Sequence, residues 1–106
     1  MTEGIVEKIR GAARRRLLFL PHAVRQMSRP DRMIDPSAVE AAVLRGTLIE
    51  DYPEDVRGHS CLFLGFEQGS GAPIHVVCSP KDDYLAIITA YRPDPSQWAE
   101  GFRRRR

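Results

Sequence analysis

In the stretch "FLPHAVRQMSRPDRM", residues 19–33, Arg25, Gln26 and Arg29 follow His22 at intervals of three, four and seven. That spacing sets all four on one face of a helix, with Ala23, Val24 and Met27 turned the other way. An imidazole titrates near neutral pH and guanidinium forks match phosphate oxygens, so the face has the makings of a phosphate grip beside a proton-transfer group. It is also a face that water alone would satisfy.

Four further places hold residues with chemistry. His75 stands mid-strand in "PIHVV", where alternation groups it with Val77 and Ser79, opposite Ile74, Val76 and Cys78. On an open sheet face it would point into a concave site; under a helix it would be a satisfied core histidine. Tyr91 and Arg92 end the last strand, where Tyr91 is placed either to donate a proton or stack on a base, or to cover the core. The terminal Arg103, Arg104, Arg105 and Arg106 offer an electrostatic contact for RNA or for an acidic protein segment, or form a disordered basic tail. Cys61 and Cys78 face each other if "EQGSGA" closes a symmetric hairpin with Glu67 opposite Ala72, either as reduced buried thiols or as a disulfide. Zinc would need two more ligands on that face, and only His59 has the right alternation, so no metal and no cofactor is expected. His59 itself reads as an exposed loop residue.

These residues need elements to hold them. "TEGIVEKIRGAARRRLL" reads as a helix with Thr2 as candidate N-cap, Glu3 and Glu7 at its positive end and Ile5, Val6, Ile9, Ala12 and Ala13 at helical spacing. "RLLFL" suits a short strand or extended segment stopped by Pro21, which also fits the first turn of the His22–Arg29 helix; Pro30 closes that helix. In "IDPSAVEAAVLRG", Asp35 caps, Pro36 takes the first helical position, Val39, Ala42 and Val43 form an apolar stripe, and Gly46 supplies a left-handed stop. After Gly46 the period changes to two: "TLIEDY", "SCLFLGF", "PIHVVCS" and "YLAIITAY" predict a four-stranded antiparallel meander. "PDPSQWAEGF" predicts a last short helix, capped by Asp94, with Gln97 completing a capping box and Trp98 and Phe102 docked on the sheet. Helices first and sheet second is an α+β arrangement.

Composition bounds the function. At 106 residues, with 42% hydrophobic and 28% charged residues, the chain suits one globular domain, and no apolar run approaches the roughly 18 residues of a membrane span. The start lacks a secretory pattern, so the cytoplasm is the expected location. Net charge is +2, yet residues 1–32 carry +5, residues 33–100 carry −7 and the last six residues +4. Fourteen of the sixteen cations are Arg, which favours an anionic partner, although a GC-rich genome also enriches Arg.

"HAVRQM" with a downstream Arg, followed by "AVEAAVLRGTLIEDYPED", "SCLFLG", "PIHVV" and "IITAYRPDPSQWAEGFRRR", resembles the bacterial domain-of-unknown-function family 4258 from about residue 19 to the C-terminus. Residues 1–18 then form an extra N-terminal helix on a single domain spanning 1–106. The resemblance implies a fold similar to RelE/ParE and MqsR-like toxins, several of which cleave RNA without a metal and are restrained by an antitoxin. One departure concerns the helix cap: the family pattern has Thr two residues before the His, and this chain has Leu20. Catalytic residues differ among RelE-like families, so roles must be argued from the site itself.

Metal-free RNA cleavage needs a base for the 2′-hydroxyl, an acid for the leaving 5′-oxygen and cations for the phosphorane. On that reading His22 is the base or acid, Arg25 and Arg29 clamp the phosphate, and His75 and Tyr91 are the other candidate catalytic groups. Arg32, Arg92, Arg103 and Arg104 would contact RNA, free or on the ribosome. The implied partners are RNA and an antitoxin with an acidic segment, with no membrane and with a homo-oligomer left open. The rival reading is a non-catalytic module that holds a protein or nucleic acid on the same Arg-rich face. In a purely structural role, His22 and Arg25 would orient their helix against "EDYPED".

Overall fold

The computed structural model describes residues 2–106, with side chains from Gly4 onward. Helix α1 spans Thr2–Arg15, strand β1 Leu17–Phe19, helix α2 Pro21–Met27 and helix α3 Pro36–Arg45. Strands β2 (Thr47–Tyr52), β3 (Ser60–Phe66), β4 (Pro73–Pro80) and β5 (Leu85–Tyr91) follow, then two short strands, β6 (Trp98–Ala99) and β7 (Arg104–Arg105). The capping roles given to Thr2 and Glu3 concern side chains outside the described residues.

The α+β class holds, but the four-stranded antiparallel sheet does not. The sheet has five strands in the order β1-β5-β4-β3-β2, and β1 runs parallel to β5 with Leu17, Leu18 and Phe19 opposite Leu85, Ala86 and Ile87. Hydrogen bonds from Leu85 N to Arg16 O (2.8 Å) and from Leu20 N to Ile87 O (3.0 Å) extend the pairing. A three-residue strand is too short to show an alternation, which is why "RLLFL" reads as a short strand or extended segment with no partner named; the structure makes it a strand.

The predicted C-terminal helix is also replaced. Asp94 does cap a turn, its carboxylate accepting from Ser96 N at 2.9 Å, but β6 and β7 then form a hairpin pairing Trp98 with Arg105 and Ala99 with Arg104. Its turn runs through left-handed backbone, with φ of 53° at Glu100, 66° at Gly101 and 71° at Phe102. No right-handed helix passes through such a run, so Trp98 and Phe102 never share a helical face.

One face of the sheet carries the helices. Ile5, Ile9, Ala12 and Ala13 of α1, Ala23 and Met27 of α2, and Val39, Ala42 and Val43 of α3 form one core with Cys61, Phe63, Ile74, Val76, Cys78, Leu85, Ile87 and Ala90. Removing these side chains from water is the main favourable term in folding. Gly46 ends α3, as expected, but with extended backbone (φ −82°, ψ −167°) rather than a left-handed stop. Its need is steric: a Cβ there would lie 2.3 Å from Ala42 O and 2.4 Å from Leu64 O. Gly65 likewise admits α3, since its Cβ would meet that of Ala42 at 2.5 Å.

Register follows the hairpin arithmetic between β3 and β4. Cys61 lies opposite Cys78, both buried and reduced, and Glu67 N donates to Ala72 O at 2.8 Å. Two bulges interrupt the alternation elsewhere: Ile49 is the extra residue of β2, between pairs Leu48–Phe63 and Glu50–Leu62, and Ile88 that of β5, between pairs Thr89–Val77 and Ile87–Cys78. A bulge flips the face of every residue beyond it.

Candidate functional site

Helix α2 begins at Pro21, whose fixed φ suits the first helical position, and Leu20 before it makes no side-chain cap bond. The helix is anchored through Ala23 and Met27, which are buried, and it packs on β5. His22, Arg25 and Arg29 are exposed, with Gln26 half-buried beside them. Among the described residues no ion pair or side-chain hydrogen bond engages His22, Arg25 or Arg29. The helix ends at Met27, not at Arg29 as expected, so Arg29 and Arg32 lie in the turns after it; Arg32 is exposed, with Asp31 at 3.7 Å. The structural role against "EDYPED" is therefore not seen: those acids lie at the far edge of the sheet, on and after β2, while α2 sits over β5.

Val24 departs from expectation. It is 49% exposed and, with Phe19, Met27, Met33, Ile34 and Pro36, lines a shallow groove of about 470 Å³ next to the cationic face. Arg92 closes part of this region. Its Nη2 donates to Met33 O at 2.7 Å and to Glu67 at 3.2 Å, while its Nη1 is buried without a partner. Hydrogen bonds from Ser70 and Arg92 hold the Glu67 carboxyl below its ordinary range. Arg92 thus ties β5 to the segment before α3.

His75 lies on the other face of the sheet, with the alternation the sequence implied. Among the described residues the β6–β7 hairpin, not a helix, covers His75 on that face. His75 is fully buried, its ring edge-on to Trp98 with centroids 4.3 Å apart. Its Nε2 is 2.9 Å from Phe102 O, which can only accept, so Nε2 carries the hydrogen and Nδ1 accepts from the Tyr91 hydroxyl at 3.1 Å. Burial, opposed by the Phe102 bond, lowers its pKa and keeps the ring neutral. Tyr91 is half-buried, and burial raises its pKa.

Around this pair lie groups that strict alternation does not bring there. Glu50 accepts two hydrogen bonds from Arg105, at 2.9 and 3.1 Å, and one from the Tyr52 hydroxyl. Burial pushes Glu50 upward, but those bonds outweigh it and leave its pKa below the usual value. Burial and Glu50 together push Tyr52 up to about 12. The Arg105 guanidinium stands 4.6 Å over the Trp98 ring. Glu50 escaped the sequence because the Ile49 bulge moves it to this face, and Arg105 because nothing distinguishes it within "RRRR".

The candidate residues therefore form two groups on opposite faces of the sheet. His22 and Arg25 are exposed on α2, with Arg29 and Arg32 exposed in the turns after it; His75 and Tyr91 are joined by a hydrogen bond under the β6–β7 hairpin and cannot reach the same phosphate. The C-terminal arginines are not a loose tail: Arg105 holds Glu50, Arg104 pairs with Glu100 at 3.2 Å and Arg106 donates to Pro95 O at 2.8 Å. Arg103 borders a depression between α3 and β3 that Asp35 and Glu40 also line.

Among the described residues no helix is long and apolar enough to cross a membrane. No curated protein and no solved structure matches the chain. A family model does match, over residues 19–92, a span that takes in α2, the groove and Arg92 but stops short of the β6–β7 hairpin that the quoted resemblance included. With that match over most of its length, the chain belongs to the family described as Domain of unknown function (DUF4258).

Proposed function

We propose that this domain is toxin-related, of the RelE/ParE and MqsR kind, and that it grips RNA through the exposed face of α2 and cleaves it without a metal. The observation that carries this reading is His22 and Arg25 three residues apart on α2, with Arg29 two residues past its end: one titratable ring and two guanidinium groups, all exposed, with no carboxylate engaging them among the described residues. Elsewhere in the chain Arg57, Arg92 and Arg105 are each held by a carboxylate. His22 is the histidine a substrate reaches; His75, sealed and doubly bonded, is withdrawn from proton transfer. Arg25 and Arg29 would neutralise the phosphate, and Arg32 would extend the contact.

A second reading rests on the apolar groove. A non-catalytic module holding an acidic, partly apolar protein segment, such as an antitoxin supplies, would use the same arginines with Val24 and Met33 as its apolar contact.

The two separate in an end-mapped RNA incubation with EDTA present, with ribosomes added and omitted. The nuclease yields 2′,3′-cyclic phosphate ends, and His22→Gln keeps fold and RNA affinity while lowering the cleavage rate roughly a hundredfold, the usual worth of a general acid or base. No cleavage in either arm by folded, partner-free protein leaves the binding module.

A further inference from the structure

At the β2 edge of the sheet, away from α2, three different ligand atoms converge. The Ile49 bulge returns Asp51 to the helix-bearing face, where it lies opposite Cys61 on β3. His59, two residues before Cys61, has the same alternation. Asp51 Oδ1 is 2.5 Å from His59 Nε2 and 3.2 Å from Cys61 Sγ, and the three ligand atoms all lie within 4.8 Å of one another. We propose that Asp51, His59 and Cys61 bind a borderline-soft divalent cation, Zn²⁺ before others, with water completing a tetrahedral site.

The chemistry of the donor set selects the ion. Thiolate and imidazole disfavour Ca²⁺ and Mg²⁺, which take oxygen ligands, and an N, O, S triad suits Zn²⁺ or Co²⁺. Zinc bonds of roughly 2.0–2.3 Å set tetrahedral ligand atoms some 3.3–3.8 Å apart, so the Asp51–His59 pair, 2.5 Å apart, needs to open by about 1 Å and the Asp51–Cys61 pair, 3.2 Å apart, by only a few tenths. Charge balances as well: Asp51 and a Cys61 thiolate neutralise the ion. Cys61 is fully buried, whereas the His59 and Asp51 side chains are 35% and 29% exposed, which gives the ion an entry path and leaves the fourth position to water.

The loop that delivers His59 is already ordered. Asp55 accepts from Arg57 Nη2 at 2.8 Å and from Ser60 Oγ at 2.7 Å; Lys81 Nζ donates to Arg57 O at 2.6 Å; Ser79 Oγ donates to His59 O at 2.8 Å. Preorganised outer contacts of this kind orient ligands. In the metal-free protein Cys61 Sγ donates its hydrogen to Asp51 Oδ1, and only the thiolate ligates a metal. Binding therefore exchanges a proton for a metal: the Cys61 S–H bond breaks, the sulfur–metal bond forms and H⁺ leaves to buffer. In the metal-free protein the Asp51 carboxylate can only accept, so His59 Nε2 carries the hydrogen; binding moves that hydrogen to Nδ1 through solvent and frees the Nε2 lone pair for the ion.

The test titrates Co²⁺ into reduced full-length protein and follows the thiolate-to-cobalt charge-transfer band. One equivalent should bind, be displaced by Zn²⁺, and release about one proton in calorimetry across buffers of different ionisation enthalpy. His59→Gln and Asp51→Asn should weaken binding by more than the roughly 10- to 100-fold that loss of an outer contact costs. Cys61→Ser should abolish the band. Because Cys61 is buried, its variant is paired with circular dichroism, and the two more exposed variants decide the matter if it does not fold. Cys78→Ala should bind as the parent does. No uptake by the parent, an undiminished band in His59→Gln and Asp51→Asn, or a band lost in folded Cys78→Ala overturns the site. None of these outcomes bears on RNA cleavage, which is assayed in EDTA.

Discussion

Two arginine-rich regions of this chain have opposite fates. On α2 and just past its end, Arg25 and Arg29 face water with no carboxylate engaging them among the described residues. In the C-terminal hairpin, Arg105 spans Glu50 and the Trp98 ring, Arg104 meets Glu100, and Arg106 binds a backbone carbonyl. "RRRR" is the louder signal, yet what surrounds each guanidinium decides its use. A cation already paired gives up an interaction when it binds a new anion; an unpaired one gives up only counterions and water. Binding capacity therefore lies in the quieter stretch, and the loud one fastens the sheet's second face.

The comparison breaks first at Trp98. It is 4% exposed and covers His75, so Trp98→Ala should cost on the order of 3 kcal/mol through lost burial and a cavity. Chemical denaturation measures this, and unchanged stability would mean that the hairpin does not hold the face. Next is charge removal on α2. RNA affinity should fall steeply with salt, and Arg25→Ala with Arg29→Ala should lower that slope by about 1.4, two single-strand phosphate contacts. Arg105→Gln is the matched control: it removes a cation that is already paired, so the slope should stay while stability falls by no more than about 1 kcal/mol, given its exposure.

The smallest effect is in pH. The His75 pKa is lowered in the folded protein, so the unfolded ring takes up a proton first, and stability is full above the ordinary value near 6.5. It should decline as pH falls from there toward the folded pKa. Glu50, Glu67 and Asp94 have lowered values, so their contribution is lost separately, below the ordinary carboxylate range near 4. Urea midpoints across pH check the sign, and His75→Gln should flatten the upper window alone.

Periodicity made much of this legible. The extent of α3, the four meander strands, the Cys61–Cys78 register and the face of His75 all follow from spacing. What spacing could not supply has local causes. β1 is too short to carry a pattern, and its partner β5 is remote in sequence. The bulge at Ile49 inverts parity along β2, which hid both Glu50 beneath the hairpin and Asp51 beside Cys61. At Glu100 and Phe102 the side chains prefer right-handed backbone, and the tertiary environment overrides that preference. On α2 the period gave the exposure of His22 and Arg25 and the burial of Ala23 and Met27, but not the exposure of Val24 or the stop before Arg29.

The parallel pairing of β1 with β5 also bears on the order of assembly. Each meander strand meets a neighbour across a short connection, whereas Leu18 waits for Ala86, and closing so long a loop from a flexible chain costs on the order of 4 kcal/mol. Contacts distant in sequence yield their stabilisation only after that entropy is lost. The expected transition state therefore contains β3–β4 pairing without β1: Val76→Ala should slow refolding, while Leu18→Ala should chiefly speed unfolding. The segment synthesised before the meander would be the last to dock on it.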